Sequence, residues 1–441
     1  MSPPVDPVHS SETLPAKVDV VVIGGGIIGV SSAWFLARRG FSVALCEKGV
    51  IGGEQSSRNW GYCRQQGRDP KELPLILESM RIWRGLDKEI EGDTGFRQAG
   101  VAYVAKDEAQ LAQYERWAEI AKEYQLDTRV LSRDELKAHI PGYESDYPGG
   151  LWTASDGRAE PSKAAPAIAT AAQRQGVSVL TGCAVRGLET AAGHVSAVVT
   201  ERGRIACDAV LLAGGAWSSL FLKRHGIAFP QLSVKSSVMR TTAGPEVLAG
   251  GLSTPEFSIR RREDGKYSLS RGFDSTFYIV PDAIRWMGKF WESFQAEKDT
   301  IKLRLDGRFF QELFRGSNWS LDRESPFEKV RVLDPAADRG ILDAGLADFK
   351  KRFPVLKDLG VEEYWAGMID ATPDAVPCIA PMDKLPGLFL ASGFSGHGFG
   401  IGPGAGRLAA DMVTGHASCV DPSPFRYGRF FDGTSLAPAE V

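Results

Sequence analysis

Val18-Asp19-Val20-Val21-Val22-Ile23-Gly24-Gly25-Gly26-Ile27-Ile28-Gly29 is the stretch that decides how this chain folds. Its first six residues are β-branched at every position except Asp19, the pattern of a strand buried on both faces. Three glycines in a row stop that strand. Ile27 to Arg39 then reads as a helix that ends at Gly40, a residue suited to a left-handed helix cap. Phe41 to Glu47 reads as a second strand. Strand, helix and strand within roughly 30 residues make a right-handed βαβ unit.

The spacing Gly24-x-Gly26-x-x-Gly29 falls on the turn between the strand and the helix. There the first glycine permits a tight turn, and the second lets backbone approach a pyrophosphate. The third allows the helix to pack on the strand, and the helix N-terminus, at Ile27 and Ile28, faces the anion. Glu47 closes the next strand, where a carboxylate can accept hydrogen bonds from ribose hydroxyls, and Lys48 follows it. A dinucleotide site is expected, and these residues alone leave open whether it takes FAD or NAD.

Outward from this unit the rhythm repeats. Asp69 to Ile90 carries Leu73, Ile76, Leu77, Met80, Trp83 and Leu86 near a 3.6-residue period and reads as a helix. Phe96 to Ala105 is strand-like, Glu108 to Gln125 helical, Ser162 to Gln175 helical and Val177 to Leu180 a strand. Arg204 to Ala213 reads as a strand that ends in a second glycine pair, and Leu388 to Ala391 as a last apolar strand before a closing helix over Gly406 to Thr414. Residues 233–333 differ, with alternating strand segments, many aromatics and a charged helix over Arg285 to Lys302. Its aromatic stripe (Trp286, Met287, Phe290, Trp291) reads as core, with a membrane surface or a second subunit as the other uses of such a face.

The expected fold is α/β: a doubly wound, Rossmann-like nucleotide domain with a second, substrate domain on a mixed or antiparallel sheet. The nucleotide domain would be assembled from residues 18–65, 151–232 and 334–430, the substrate domain from residues 66–150 and 233–333, and residues 1–17 would form a flexible tail.

At 441 residues the chain is long enough for two such domains, and 43% hydrophobic with 24% charged residues is the balance of a globular protein. A formal net charge of −3 without basic blocks argues against nucleic acid as a partner. Six scattered cysteines without a Cys-x-x-Cys pair argue against a zinc site or a disulfide framework, and point to a reducing, cytoplasmic setting. The histidines show no metal-ligand spacing, and no metal is expected. No transmembrane stretch is apparent, and the N-terminus lacks the pattern of a secretory signal.

Asp19 to Glu47, the run Thr372-Pro373-Asp374 and the run Gly393 to Gly404, with Gly393-Phe394-Ser395-Gly396-His397-Gly398-Phe399 at its heart, together resemble the D-amino-acid oxidase superfamily of flavoproteins, within it the glycine/sarcosine oxidase branch. The resemblance spans about Val18 to Gly415 and implies FAD as cofactor. It implies that Ser56, Ser57, Arg58, Asn59, Trp60 and Gly61 form the loop beside the flavin ring and pyrophosphate. It places Val185 at the adenine, and Ala213, Gly214 and Trp217 on a turn near the ADP half. Gly396, His397, Gly398, Phe399, Gly400 and Ile401 would approach the pyrimidine edge of the flavin, where backbone N–H groups suit a carbonyl that gains negative charge on reduction.

The chain departs from that branch at three places. Gly367 stands where monomeric sarcosine oxidases carry a flavin-linking cysteine, so FAD is expected to be noncovalent. Gly400 stands where they carry a substrate-binding lysine, and Ile369-Asp370 where a glycine-oxidase arginine would precede Thr-Pro-Asp. A carboxylate anchor must come from elsewhere, and Arg64, Arg68, Lys235, Arg271 and Tyr278 are the candidates, each weighed against being an ordinary surface or packing residue. His397 would neighbour the flavin, with acid–base catalysis as its other use. It also occupies the place of the last glycine in a G-x-S-x-G elbow, which argues against a serine hydrolase.

The resemblance implies oxidation of a C–N bond in a small amino acid or N-substituted glycine, sarcosine- or iminodiacetate-like, by hydride transfer to flavin. The resulting imine hydrolyses, and oxygen or another acceptor takes the electrons. A dehydrogenase passing electrons to a quinone or partner protein, and a non-catalytic flavin-binding scaffold, are the alternatives.

Overall fold

A computed structural model describes residues 3–272 and 274–439. Val20–Ile23 (β1) and Val43–Cys46 (β2) are buried along their whole length and pair in parallel. Between them runs α1 (Ile27–Arg38), nine of whose twelve residues are buried. The sheet they start has six strands, in the order Cys378–Pro381, Leu388–Ser392, Ala209–Leu212, β1, β2, Ser178–Leu180. All its neighbours are parallel except the edge strand Cys378–Pro381, which runs antiparallel to Leu388–Ser392. Strands from the beginning, middle and end of the chain thus converge on β1, the strand that carries the glycine turn.

One face of this sheet is covered by α1, by Pro161–Arg174 and by the closing helix. Leu73–Glu89 (α2) packs against the closing helix in turn. That closing helix is α3 (Gly398–Thr414), which begins eight residues before the expected Gly406. Glycines and Pro403 conceal it in the sequence, because both are poor helix formers. Tertiary packing overrides the propensity: a Cβ at Gly402 would stand 2.8 Å from the Ile27 side chain, and one at Gly406 2.5 Å from Ser31 Cβ. Only glycine lets α3 lie this close to α1.

A second, ten-stranded mixed sheet carries the other half of the molecule. Its long central strand, Leu232–Thr241, pairs antiparallel with Val361–Ala371 over nearly its whole length. Segment boundaries therefore fall differently from expectation. Val361–Ala371, within the 334–430 segment assigned to the nucleotide domain, is hydrogen-bonded into the second sheet, and so is Gly149–Thr153 at the start of 151–232. The expected strand over Phe96 to Ala105 is split into Arg97–Gln98 and Val101–Val104 by Gly100 at φ +70°, and Arg204 to Ala213 into Gly203–Ala206 and Ala209–Leu212.

Two expectations are corrected. Residues 3–17 are not a loose tail: Asp6 N donates to Ser162 O (3.0 Å), Ser11 N to Val179 O (2.7 Å) and Ala206 N to Ala16 O (3.0 Å). A polar, Pro-rich composition says nothing against docking when backbone groups find partners. The charged helix runs over Pro281–Glu297, not Arg285 to Lys302, and its stripe is not core. Trp286 is buried, but Ile284, Met287 and Trp291 are exposed, as are Leu303, Leu305, Phe310, Leu313 and Phe314 in the segment that follows. The helix touches the body through one flank, where Lys289 donates to Phe430 O and Ser293 Oγ to Pro373 O. No helix among the described residues is long and apolar enough to cross a membrane.

Candidate active site

The glycine turn is built as its spacing demands. Gly24 has φ +109°, and a Cβ there would lie 2.3 Å from Ala213 O. A Cβ at Gly29 would lie 1.9 Å from Gly24 O, so α1 can start where it does only without a side chain at that position. At Gly26 a Cβ would stand 3.1 Å from Ser56 Oγ, the same hydroxyl that accepts a hydrogen bond from Ile27 N at 2.9 Å. Each oxygen of Glu47 accepts one backbone hydrogen bond: Gly25 N donates to Oε2 and Gly49 N to Oε1, both at 2.7 Å. Burial pushes its carboxyl above the ordinary value, against the pull of those two N–H groups.

Beside this turn lies a cavity. Gly24, Gly26, Glu47, Lys48, Ser56, Val185, Ala213, Gly214 and Trp217 all line it. Glu54, absent from the expected set, holds its wall together: Lys48 Nζ reaches Glu54 Oε1 at 2.9 Å and Trp217 Nε1 donates to the same carboxylate at 3.1 Å. Lys48 also lies 4.1 Å from the Trp217 ring centroid. A side-chain-free cradle at a helix N-terminus, a carboxylate at the end of β2 and a cavity lined by both fit an FAD.

Gln55 and Ser56 line the cavity, and beyond the loop Gln55–Gly61 the strand Tyr62–Cys63 meets α3. Ser57 and Arg58 are buried, and Asn59 ties the loop to itself by donating to Gln55 O and Ser56 O and accepting from Gly61 N. Gly61 has φ +84° and packs against Arg260, whose guanidinium donates to Trp60 O and forms a bidentate pair with Glu160. From the other side, Gly396 has φ +84° and His397 leads into α3 through Gly398. Phe399, Gly400 and Ile401 are buried in its first turn, and Gly400 O accepts from Ser79 Oγ and Trp83 Nε1, each at 2.8 Å. A Cβ at Gly400 would come within 3.0 Å of Tyr62 O, so no longer side chain fits between α3 and the loop that carries Arg64.

The anchor candidates separate into three places. Arg64 and Arg68 gather with His397. Arg68 is buried, donates from Nε to Arg64 O (3.2 Å), and burial together with Arg64 lowers its pKa to about 10. The Arg64 guanidinium lies 5.3 Å from the Tyr103 ring centroid. Lys235 and Tyr278 form a second group, with Lys235 Nζ 5.8 Å from the Tyr278 ring and donating to Ala336 O, and with Arg308 3.6 Å from the same ring. Arg271 stands apart, its side chain 41% exposed beside Asp274.

Residues that spacing does not reveal complete the first group. Glu72 is wholly buried with Oε2 2.9 Å from His397 Nδ1. Asp156 accepts from the backbone N–H groups of Gln65 and Gln66, and burial raises it to about 6. Gln66 Nε2, Arg68 Nη1 and Tyr103 Oη are buried polar atoms without a hydrogen-bond partner. In sequence these residues look like ordinary helix-entry and strand positions; only their convergence distinguishes them.

Residues 19–412 match the family described as FAD dependent oxidoreductase. The solved L-amino acid deaminase from Proteus myxofaciens, in complex with anthranilate, is 33% identical, with 98% of each chain covered and a TM-score of 0.93. The sarcosine oxidase subunit beta of Rhizobium meliloti (strain 1021) is 25% identical over 94% of this chain and 89% of its own length. The mitochondrial sarcosine dehydrogenase of Mus musculus is 25% identical over 93% of this chain, which spans only 41% of that longer protein. From the glycine cradle to α3, the chain belongs to the FAD-dependent oxidoreductase family whose fold and cofactor it shares.

Proposed function

We propose that this chain oxidises the Cα–N bond of a small amino acid or N-substituted glycine, with a primary α-amino acid as the favoured substrate, and releases a 2-oxo acid once water hydrolyses the imine. FAD, held without a covalent link since Gly367 offers no thiol, supplies the two-electron acceptor. The observation that carries the reading is the group Arg64, Arg68, Gln66 and Tyr103 beside the His397 turn. Three buried donors without a hydrogen-bond partner, next to a second arginine, suit a carboxylate.

Each part of the chain has a task in this reading. The glycine turn, Ser56 and Glu47 hold the dinucleotide; the Arg58–Gly61 loop and the first turn of α3 orient the ring. Arg64 and Arg68 capture the substrate carboxylate and fix the Cα–H bond in one direction, and such positioning supplies much of the rate. Similarity over 98% of its length to an L-amino acid deaminase, crystallised with a ligand that carries both an amino and a carboxylate group, supports a primary amine over sarcosine.

The exposed apolar residues of 284–314 favour a second reading for the oxidative half alone, in which a quinone or a protein partner accepts the electrons instead of oxygen. Anaerobic titration of the purified flavoprotein with L-amino acids, D-amino acids and N-alkyl glycines tests the main reading. Bleaching of the oxidised-flavin absorbance by one class supports it; a flavin that bleaches only with dithionite overturns it. Admission of air and of a soluble quinone to the reduced protein separates the two acceptors.

A further inference from the structure

Glu72 and His397 make a partly buried contact that neither cofactor binding nor carboxylate capture requires. Glu72 immediately precedes α2, and His397 immediately precedes α3, 325 residues later. The Glu72 side chain is 0% exposed and its Oε2 lies 2.9 Å from His397 Nδ1, while Arg68 Nη1 stands 3.9 Å from the same oxygen. His397 is held at its backbone as well, with its N–H donating to Phe394 O at 2.7 Å.

The charges around the pair set its protonation. Burial alone would push Glu72 up, but His397, Arg68 and Arg64 together hold it below the ordinary carboxylate value. Burial, then Arg68 and Arg64, push His397 below the ordinary imidazole value, against the attraction of Glu72. Tyr103 and Asp156 act on Arg68. An ionised carboxylate can only accept, so the one ring proton of a neutral His397 must sit on Nδ1. That leaves Nε2 as a bare lone pair, with no hydrogen bond to any described residue, on a side chain that is 24% exposed.

An amino acid arrives as an ammonium ion. Its Cα hydride leaves only when the nitrogen carries a free lone pair to form the C=N bond, so one proton must first depart. Resting on the amino-acid reading above, we propose that His397 Nε2 takes this proton and that Glu72 is the residue that positions it. The ammonium N–H bond breaks, its electron pair stays on nitrogen, and an Nε2–H bond forms; the imidazolium is balanced by the Glu72 carboxylate. Bound FAD would supply the two-electron acceptor for the hydride, which leaves with the electrons of the Cα–H bond. The arginines add a trigger. A substrate carboxylate docked on Arg64 and Arg68 cancels the charge that depresses His397, so its basicity rises when the ammonium group is present.

Two measurements on the FAD-loaded protein test this. The first needs no substrate: long-range proton–nitrogen NMR of protein with ring-labelled histidine, with His397 assigned by its loss in His397→Asn. The expected signal is a neutral ring protonated on Nδ1 at pH 7, which becomes a mixture of tautomers in Glu72→Ala. An Nε2-protonated ring, or a His397 signal untouched by Glu72→Ala, overturns the pairing.

The second is anaerobic rapid mixing with saturating L-phenylalanine across pH. Flavin reduction is expected to rise with pH through the His397 titration. Glu72→Gln is expected to lower the rate by roughly 10- to 100-fold and to move that limb to lower pH, because the imidazolium has lost its counter-charge. Glu72→Gln retains an acceptor for Nδ1–H, so flavin content should persist. A Glu72→Gln profile that keeps the wild-type limb, or a His397→Asn protein that still shows it, overturns the proton transfer while leaving amino-acid oxidation intact. Failure of every amino acid to bleach wild-type flavin instead overturns the activity, and the proton-transfer step with it, while the NMR result still decides the tautomer.

Discussion

Glu47 Oε2 accepts a hydrogen bond from Gly25 N at 2.7 Å, and through it the end of β2 is tied to the middle glycine of the turn after β1. The other oxygen takes Gly49 N at the same distance, so one carboxylate braces both strand ends around the mouth of the cavity. Each oxygen keeps a second lone pair for a ribose hydroxyl. In Glu47→Gln one of the two N–H groups would face an amide NH₂, at a cost of about 1–3 kcal/mol. Apoprotein titrated with FAD should show at least a tenfold weaker affinity; a variant within threefold of wild type would refute the bracing role.

Glycine substitutions should divide sharply by site. Gly29→Ala places a methyl 1.9 Å from the Gly24 carbonyl oxygen and should abolish flavin binding or folding. Gly288, in the helix Pro281–Glu297, has nothing within 4 Å of an added Cβ. Gly288→Ala should stabilise by up to about 1 kcal/mol through helix propensity, with flavin content unchanged. Thermal unfolding and the flavin-to-protein absorbance ratio check both.

Arg260 and Glu160 join the second sheet to the Gln55–Gly61 loop by a pair whose side chains are 0% and 4% exposed. Arg260→Met leaves Glu160 buried beside Arg158 and Arg262 but without its closest partner, and should cost about 3–5 kcal/mol in urea unfolding. Adding Glu160→Met should restore part of that loss. A purely additive double variant would mean that the pair is not coupled.

A carboxylate anchor can be separated from a structural role by the substrate. Arg64→Gln should raise KM for amino acids by roughly 10- to 100-fold, the scale of a charge-assisted hydrogen bond. Slow oxidation of an amine without a carboxylate should be unaffected. Equal losses for both would move the anchor elsewhere, to Lys235 and Tyr278 first.

Acid stability should report on Glu328. Its carboxylate accepts from Ser325 N and Oγ and pairs with Arg186, and despite partial burial these partners hold its pKa at about 2. Because the folded value lies below the unfolded one of about 4.3, its stabilisation is complete above that value and is lost as pH falls toward 2. Glu328→Gln should therefore be destabilised against wild type at pH 7, and the gap should narrow as pH falls from 4 to 3 and close only below about pH 2. A gap that stays constant with pH would assign the effect to packing of the neighbouring Phe327.

What the sequence alone determined was local and periodic. The β-branched run, the glycine spacing and the carboxylate at Glu47 lie within thirty residues, and sterics at Gly24 and Gly29 leave the backbone few other choices. Resemblance extended this to the Ser56–Gly61 loop, where Ser56 lines the cavity, and to the turn at His397, which leads into α3. Tertiary structure decided the rest. Strand Val361–Ala371 joins the second sheet because Leu232–Thr241 offers it a continuous ladder, and no local pattern records which sheet a strand will enter. Residues 3–17 dock through backbone hydrogen bonds, which composition does not encode. The stripe around Trp286 looked like core because periodicity shows that a face is apolar, not whether another element covers it. Glu72, Gln66 and Tyr103 acquire a possible function only from groups brought beside them, in the case of Glu72 by a histidine 325 residues away. Charge and burial at such a site are properties of the packed neighbourhood, and chain order alone does not supply them.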